Sequence, residues 1–85
     1  LDVAIDMESV KIKKIKSPVA GDADCIVFPN IESGNVFYKC NSKLSTGVEM
    51  AAMVVGAKVP CVLSSRADSI ETKLNSIALA ALSAK

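Results

Sequence analysis

Leu1, Ile5, Ile12 and Ile15 recur at spacings that place them on one face of a helix, with Glu8 the single polar member of the stripe and Lys11, Lys13, Lys14 and Lys16 flanking it. This pattern predicts a helix ending near Ser17-Pro18. Its lysines suit either a phosphate-binding patch or, the better reading, a solvated face that complements the C-terminal helix dipole. Pro18 and Gly21 mark a loop, and Ala23 to Phe28 form a short apolar run stopped by Pro29, as a buried strand would be. A polar turn from Asn30 to Asn35 follows, after which Val36, Phe37, Cys40 and Leu44 resume helical spacing. Ser45-Thr46-Gly47 ends that helix. Met50 to Val55 reads as a second strand, and Gly56 to Pro60 turn into a third, Cys61 to Ser64. From Ser69 onward, Ile70, Leu74, Ile77, Ala78, Ala81 and Leu82 repeat at three and four and predict a closing helix. The order is α-β-α-β-β-α, and residues 1–85 read as one segment without internal repeat, low-complexity linker or second domain boundary.

Composition agrees with an α/β class. The only aromatic residues are Phe28, Phe37 and Tyr38, so a core would be built from small aliphatic side chains, as where helices pack on a sheet. A chain of 85 residues buries only a little over ~60% of its unfolded surface, yet 51% of this one is hydrophobic. Together with a start at Leu1 and first residues that read as mid-helix, this implies a part of something larger. A net charge of +1 supplies no field for gathering nucleic acid or an anionic membrane, and neither partner is expected. Cys25, Cys40 and Cys61 are odd in number and widely spaced, which argues against a disulfide framework or a metal site. They are expected as free thiols, Cys25 and Cys61 as small buried hydrophobes, in a reducing compartment. No apolar run approaches the ~20 residues that span a bilayer, and no signal pattern opens the chain, so a cytoplasmic location is expected.

The chain has no histidine, which excludes Ser-His-Asp and Cys-His arrangements built within it. Gly21, Gly34, Gly47 and Gly56 are too far apart for a dinucleotide fingerprint or a P-loop. What remains are two strand-to-helix junctions, where helix N-termini present free N–H groups to anions. At the second, Ser64, Ser65 and Arg66, the only arginine in the chain, follow the strand. Asp68 or Ser69 is the expected N-cap, with Glu71 placed to close a capping box. A guanidinium here can form a bidentate pair with phosphate or carboxylate that an ammonium cannot copy. The alternative is that Arg66 pairs with Asp68 or another carboxylate, and that Asp68, Ser69 and Glu71 only cap. At the first junction, Asn30, Asn35, Tyr38 and Lys39 gather near a helix start; the alternative there is a loop glycine at Gly34, Asn35 as N-cap and Lys39 in solvent.

The stretches KSPVAGDADCIVFPNIESGNVFYK (residues 16–39) and VVGAKVPCVLSSRADSIETKLNSIALA (residues 54–80) resemble the C-terminal part of the phosphate acetyl/butyryltransferase family. The SRADS form at Ser65 to Ser69 looks closer to the butyryltransferase branch. The resemblance implies reversible transfer of an acyl group between phosphate and the thiol of coenzyme A. It also implies a cleft between two α/β domains similar to those of isocitrate and isopropylmalate dehydrogenases, of which this chain would be the C-terminal portion. By resemblance, Arg66 holds the phosphoryl group or the developing oxyanion, and Ser65 hydrogen-bonds the thiol or the reacting carbonyl. Asn35 and Lys39 are the expected substrate-binding residues.

The acetyl branch has an aspartate six residues after the arginine as the base for the thiol proton. Here that position is Thr72, with Glu71 one residue earlier. Glu71 is the expected catalytic base; Asp68 or a group outside these residues are the alternatives. Coenzyme A and phosphate are expected as substrates, with no tightly bound cofactor and no metal. A homo-oligomer is expected, and the isolated segment is expected to be inactive. Two other classes fit the residues: a non-catalytic structural or assembly module, and a small phosphate-binding α/β domain.

Overall fold

The computed structural model describes residues 1–85. It contains four helices, α1 (Asp2–Ile5), α2 (Met7–Lys13), α3 (Ile31–Leu44) and α4 (Ile70–Ser83). The chain divides into two compact units, Leu1–Ile31 and Glu32–Lys85.

In the first unit, the stripe that predicts one helix belongs to two. Asp6 takes extended backbone angles (φ −121, ψ 117), and its carboxylate accepts from the Ser9 N–H at 3.0 Å and the Ser9 hydroxyl at 2.6 Å. A short acidic side chain satisfies free N–H groups at a helix start, and here that local bond wins over continuing the helix. The break re-phases the stripe. Leu1, Ile5, Ile12 and Ile15 are exposed, and Val10 is the buried apolar side chain instead. α2 stops before Ser17-Pro18 because Lys14 turns into the left-handed region (φ 53, ψ 43). The Ile15 N–H then donates back to the Val10 carbonyl at 3.1 Å, the closure of a Schellman motif. Lys13 Nζ donates to Asp2 Oδ2 at 2.6 Å, tying the end of α2 to the start of α1.

The loop after α2 returns to α1: the Gly21 N–H donates to the Val3 carbonyl at 2.8 Å and the Ala23 N–H to the Ala4 carbonyl at 3.0 Å. Gly21 has φ +72, a left-handed conformation that favours glycine, and a Cβ there would lie 2.6 Å from the Met7 sulfur, which would have to shift. Residues 23–28 do not form the expected strand. A strand completes its hydrogen-bond ladder only against a neighbour, and the one bridge in the structure lies elsewhere. Cys25 is accordingly exposed, not buried.

In the second unit, α3 begins at Ile31, directly after Pro29-Asn30 and earlier than the apolar spacing from Val36 predicts. Gly34 and Asn35 therefore lie inside the helix, and Asn35 is not its N-cap. The Asn/Ser/Gly cluster carries a turn signal, but Asn30 just before the helix and Glu32 in its first turn are start signals, and they prevail. α3 ends at Leu44 as its spacing implies, with Gly47 in the turn that follows at φ +73.

Met50 to Val55 and Cys61 to Ser64 reverse on each other through Gly56 (φ +97) as expected, but they form a single antiparallel bridge and no strands. The Val54 N–H donates to the Cys61 carbonyl at 2.9 Å. Cys61 is half-buried, so neither cysteine expected in a core lies in one. The 50–55 segment is held by polar side chains of α4. The Ala52 N–H donates to Ser76 Oγ at 2.9 Å, and Asn75 Nδ2 donates to the Met50 carbonyl at 3.4 Å. Ser76, 2% exposed, also donates to the Thr72 carbonyl at 2.7 Å. α4 thus turns its polar face inward. Ile70 (84% exposed), Leu74 (63%) and Leu82 (86%) face out.

Candidate functional site: the Ser65–Asp68 turn and its supports on α3

The only arginine sits at the second position of a tight turn. The Asp68 N–H donates to the Ser65 carbonyl at 3.1 Å, and the Ser65 N–H donates to Asp68 Oδ2 at 3.0 Å. Each end of the turn therefore holds the other, with a side-chain bond reaching back from Asp68 added to the backbone one. Arg66 is exposed, and no carboxylate lies within ion-pair distance of it. Its fork of donors is uncommitted. The alternative pairing with Asp68 is not made; the Asp68 oxygens accept elsewhere, Oδ2 from the Ser65 N–H and Oδ1 from the Tyr38 hydroxyl at 3.2 Å.

Three supports come from α3. Besides Tyr38, Lys39 Nζ donates to Ser65 Oγ at 3.1 Å, and Lys43 Nζ donates to the Ala67 carbonyl at 2.9 Å. Ser65 Oγ also accepts from the Ala67 N–H at 3.3 Å. With two donors on its lone pairs, the Ser65 hydroxyl keeps its proton for a further acceptor. Lys39 Nζ lies 5.6 Å from the Tyr38 ring centroid, within cation–π reach. Burial raises the Tyr38 phenol above its usual value, and donation to the negatively charged Asp68 carboxylate adds to that.

α4 begins immediately after the turn. Ser69 is its N-cap, accepting from the Thr72 N–H at 3.1 Å and donating to Thr72 Oγ1 at 3.0 Å. The partner of the cap is thus Thr72, and Glu71 does not close a capping box: with Ser69 as cap it falls one place short. Glu71 is exposed in the first turn of α4, beside the positive end of the helix dipole. Its carboxylate is unengaged, whereas that of Asp68 is not.

Of the residues expected from sequence, the structure brings Ser65, Arg66 and Lys39 together and places Glu71 in the first turn of α4. Asn35 lies on the same α3 face as Lys39, one turn earlier, exposed and without a bond to the turn. Asn35, Val36, Lys39, Cys40, Lys43 and Leu44 line a groove of about 320 Å³ along that face. A smaller cavity of about 90 Å³ lies between Ser42, Lys43, Val48, Met50, Asp68, Ser69 and Thr72, room for about three waters. A concavity of about 560 Å³ is lined by residues 53–60 and 83–85 and contains none of these groups; the side-chain constellation, not cavity size, locates the site. Sequence reasoning missed Lys43. Its signal was the i, i+4, i+8 series Asn35, Lys39 and Lys43, which shares one helix face.

The family model for phosphate acetyl/butaryl transferase matches residues 1–81. A phosphate acetyltransferase of Rhizobium meliloti is 52% identical over 81 residues, covering 95% of this chain and 25% of that protein. A phosphate butyryltransferase of Clostridium acetobutylicum is 50% identical over 82 residues, covering 96% of this chain and 27% of that protein. A phosphate acetyltransferase of Thermotoga maritima is 49% identical over 82 residues, covering 96% and 28%. The chain thus spans about a quarter of the length of the curated relatives it matches. It belongs to the phosphate acetyl/butaryl transferase family.

Proposed function

We propose that this chain is the C-terminal portion of a phosphate acyltransferase and carries the turn that holds the reacting groups. The enzyme interconverts acyl-CoA plus phosphate with acyl phosphate plus coenzyme A, with no metal and no tightly bound cofactor. A phosphate oxygen forms a bond to the acyl carbon, the carbon–sulfur bond breaks with its electron pair going to sulfur, and a proton restores the thiol. In reverse, the thiol gives up that proton. Charge develops on the phosphoryl group and the carbonyl oxygen, and Arg66 meets it with a free two-pronged donor. Ser65 donates its remaining proton to the carbonyl oxygen or the thiolate. Glu71, unengaged in the first turn of α4, takes the thiol proton, and Asn35 and Lys39 contact the substrate.

The observation that carries this reading is that Arg66 stands unpaired on a turn braced from three α3 side chains. The turn that carries Arg66 is braced before an anion arrives, while the guanidinium itself stays free to fork onto that anion. The SRADS form favours butyryl or a similar short acyl chain over acetyl; overall identity to the two branches is nearly equal. In the whole enzyme the extended segments 23–28, 50–55 and 61–64 become strands of an isocitrate/isopropylmalate dehydrogenase-like sheet once neighbouring strands complete their ladders. No helix here is long and apolar enough to cross a membrane, and the enzyme works in the cytoplasm as a homo-oligomer.

A second reading, an assembly module without catalysis, draws on the exposed apolar face of α4. One assay separates the two. The full-length enzyme carrying this segment, given butyryl-CoA or acetyl-CoA and inorganic phosphate, releases free thiol in step with acyl phosphate, faster with butyryl-CoA. Absence of phosphate-dependent thiol release with both substrates would leave the assembly reading.

A further inference from the structure

Asp68 is the nearest acid in sequence to Arg66, and nothing in the chain order prevents the two from pairing. A carboxylate beside a lone exposed guanidinium is its natural counter-ion, and a guanidinium so occupied has to be released before it can hold a phosphoryl group. In the structure the pairing is absent, and Asp68 is turned to other donors: the Tyr38 hydroxyl takes Oδ1 at 3.2 Å and the Ser65 N–H takes Oδ2 at 3.0 Å. The tyrosine reaches Asp68 from α3, 30 positions away in sequence, and its ring is half-buried, so the hydroxyl arrives in a fixed direction. Lys39, whose ammonium lies against the same ring, is committed to Ser65 and does not compete for that oxygen.

We propose that Tyr38 is a positioning residue: by occupying Asp68 it keeps Arg66 unpaired and available to the phosphoryl group. The inference rests on the reading that Arg66 binds phosphate, and adds what holds Arg66 in the binding state. It separates two roles that Asp68 could play. As a turn residue, Asp68 supports Ser65. As an unguarded anion, it inhibits Arg66. Tyr38 permits the first and blocks the second.

Steady-state kinetics of the full-length enzyme, with inorganic phosphate as the varied substrate, test this. Tyr38→Phe keeps the ring and frees Asp68 Oδ1 to capture Arg66, and KM for phosphate is expected to rise on the order of tenfold. Adding Asp68→Asn removes the competing charge while keeping an acceptor for the Ser65 N–H, so the double variant is expected to recover to within about twofold of the parent enzyme. A purely structural role for Tyr38 predicts no such recovery, since the second substitution would weaken the turn further. Arg66→Lys serves as the reference. If it raises KM for phosphate while Tyr38→Phe does not, or if Asp68→Asn worsens the Tyr38→Phe enzyme, the role of Tyr38 is overturned and the phosphate reading stands. If Arg66→Lys leaves phosphate kinetics unchanged, the phosphate reading itself fails and the inference falls with it.

Discussion

Lys39 Nζ donates to Ser65 Oγ at 3.1 Å and so joins two motifs that lie 26 positions apart. The bond has a chemical consequence beyond bracing. A cation on the serine lone pair polarises the hydroxyl and directs its proton outward, toward whatever acceptor enters the turn. Lys39→Met is therefore expected to lower kcat/KM for acyl transfer on the order of tenfold in the full-length enzyme, with Lys39→Arg intermediate. Equal activity in all three would show that the bond is incidental.

Ser76 offers a test of what holds the second unit together. It is the most buried side chain, and its hydroxyl joins the Ala52 N–H to the Thr72 carbonyl. Ser76→Ala leaves a half-buried N–H without its acceptor, and a loss of about 1–3 kcal/mol is expected from such a deletion. Urea unfolding followed by helical signal measures it. A change near zero would mean that water replaces the hydroxyl without cost.

Two pH effects follow from the named bonds. Tyr38 titrates above its usual value of 10.0 because burial and its bond to Asp68 favour the neutral phenol. A folded-state value above the unfolded one gives stability that is fully present below about pH 10 and is lost as pH rises through the folded value. Tyr38 is the only tyrosine and there is no tryptophan, so phenolate absorbance reports it alone. Asp68→Asn is expected to bring the midpoint down, and an unmoved midpoint would contradict the bond. Asp6 has the opposite sign: the Ser9 hydroxyl and then its N–H hold the carboxyl below 3.8. Its cap on α2 persists above that value and is lost as pH falls through the lower folded value, seen as fraying of α2.

The apolar face of α4 supports a further expectation. Ile70, Leu74, Ile77 and Leu82 are exposed together, on a helix whose polar face is already engaged, and such surfaces mark contact sites. The chain is expected to self-associate at tens of micromolar, and Leu74→Lys with Ile77→Lys to shift it toward monomer while helicity is retained. A monodisperse parent chain by sedimentation would count against this.

What could be read from the sequence followed how local each signal was. α4 and its start were legible because Ser69 caps within its own turn, and the Ser65-Arg66 motif because its turn closes within four residues. The break at Asp6 was not, since the apolar stripe runs through it without interruption and only the Asp6–Ser9 bond reveals it. The early start of α3 was hidden by turn-forming residues that the helix accommodates. The three strands failed for another reason: an apolar run states that it will be covered, not by what, and a strand exists only with its neighbours. Inward and outward faces of α4 were likewise exchanged, because the bonds of Asn75 and Ser76 to residues 50–52 outweigh the apolar stripe in deciding which side meets the rest of the unit. The bracing of the turn that carries Arg66, by Tyr38 and Lys43, needed three dimensions.

The central claim is that Arg66 holds the phosphoryl group by its fork, and the Arg66→Lys variant of the full-length enzyme tests it most directly. Charge is kept and bidentate geometry is lost, so kcat/KM for acyl transfer is expected to fall on the order of 10² or more, about 3 kcal/mol of transition-state stabilisation, and Arg66→Ala further still. Both variants are expected to melt within a few degrees of the parent, because an exposed arginine with no ion pair contributes little to the fold. A lysine enzyme with normal turnover, or one whose activity loss is matched by a lowered melting temperature, would contradict the claim.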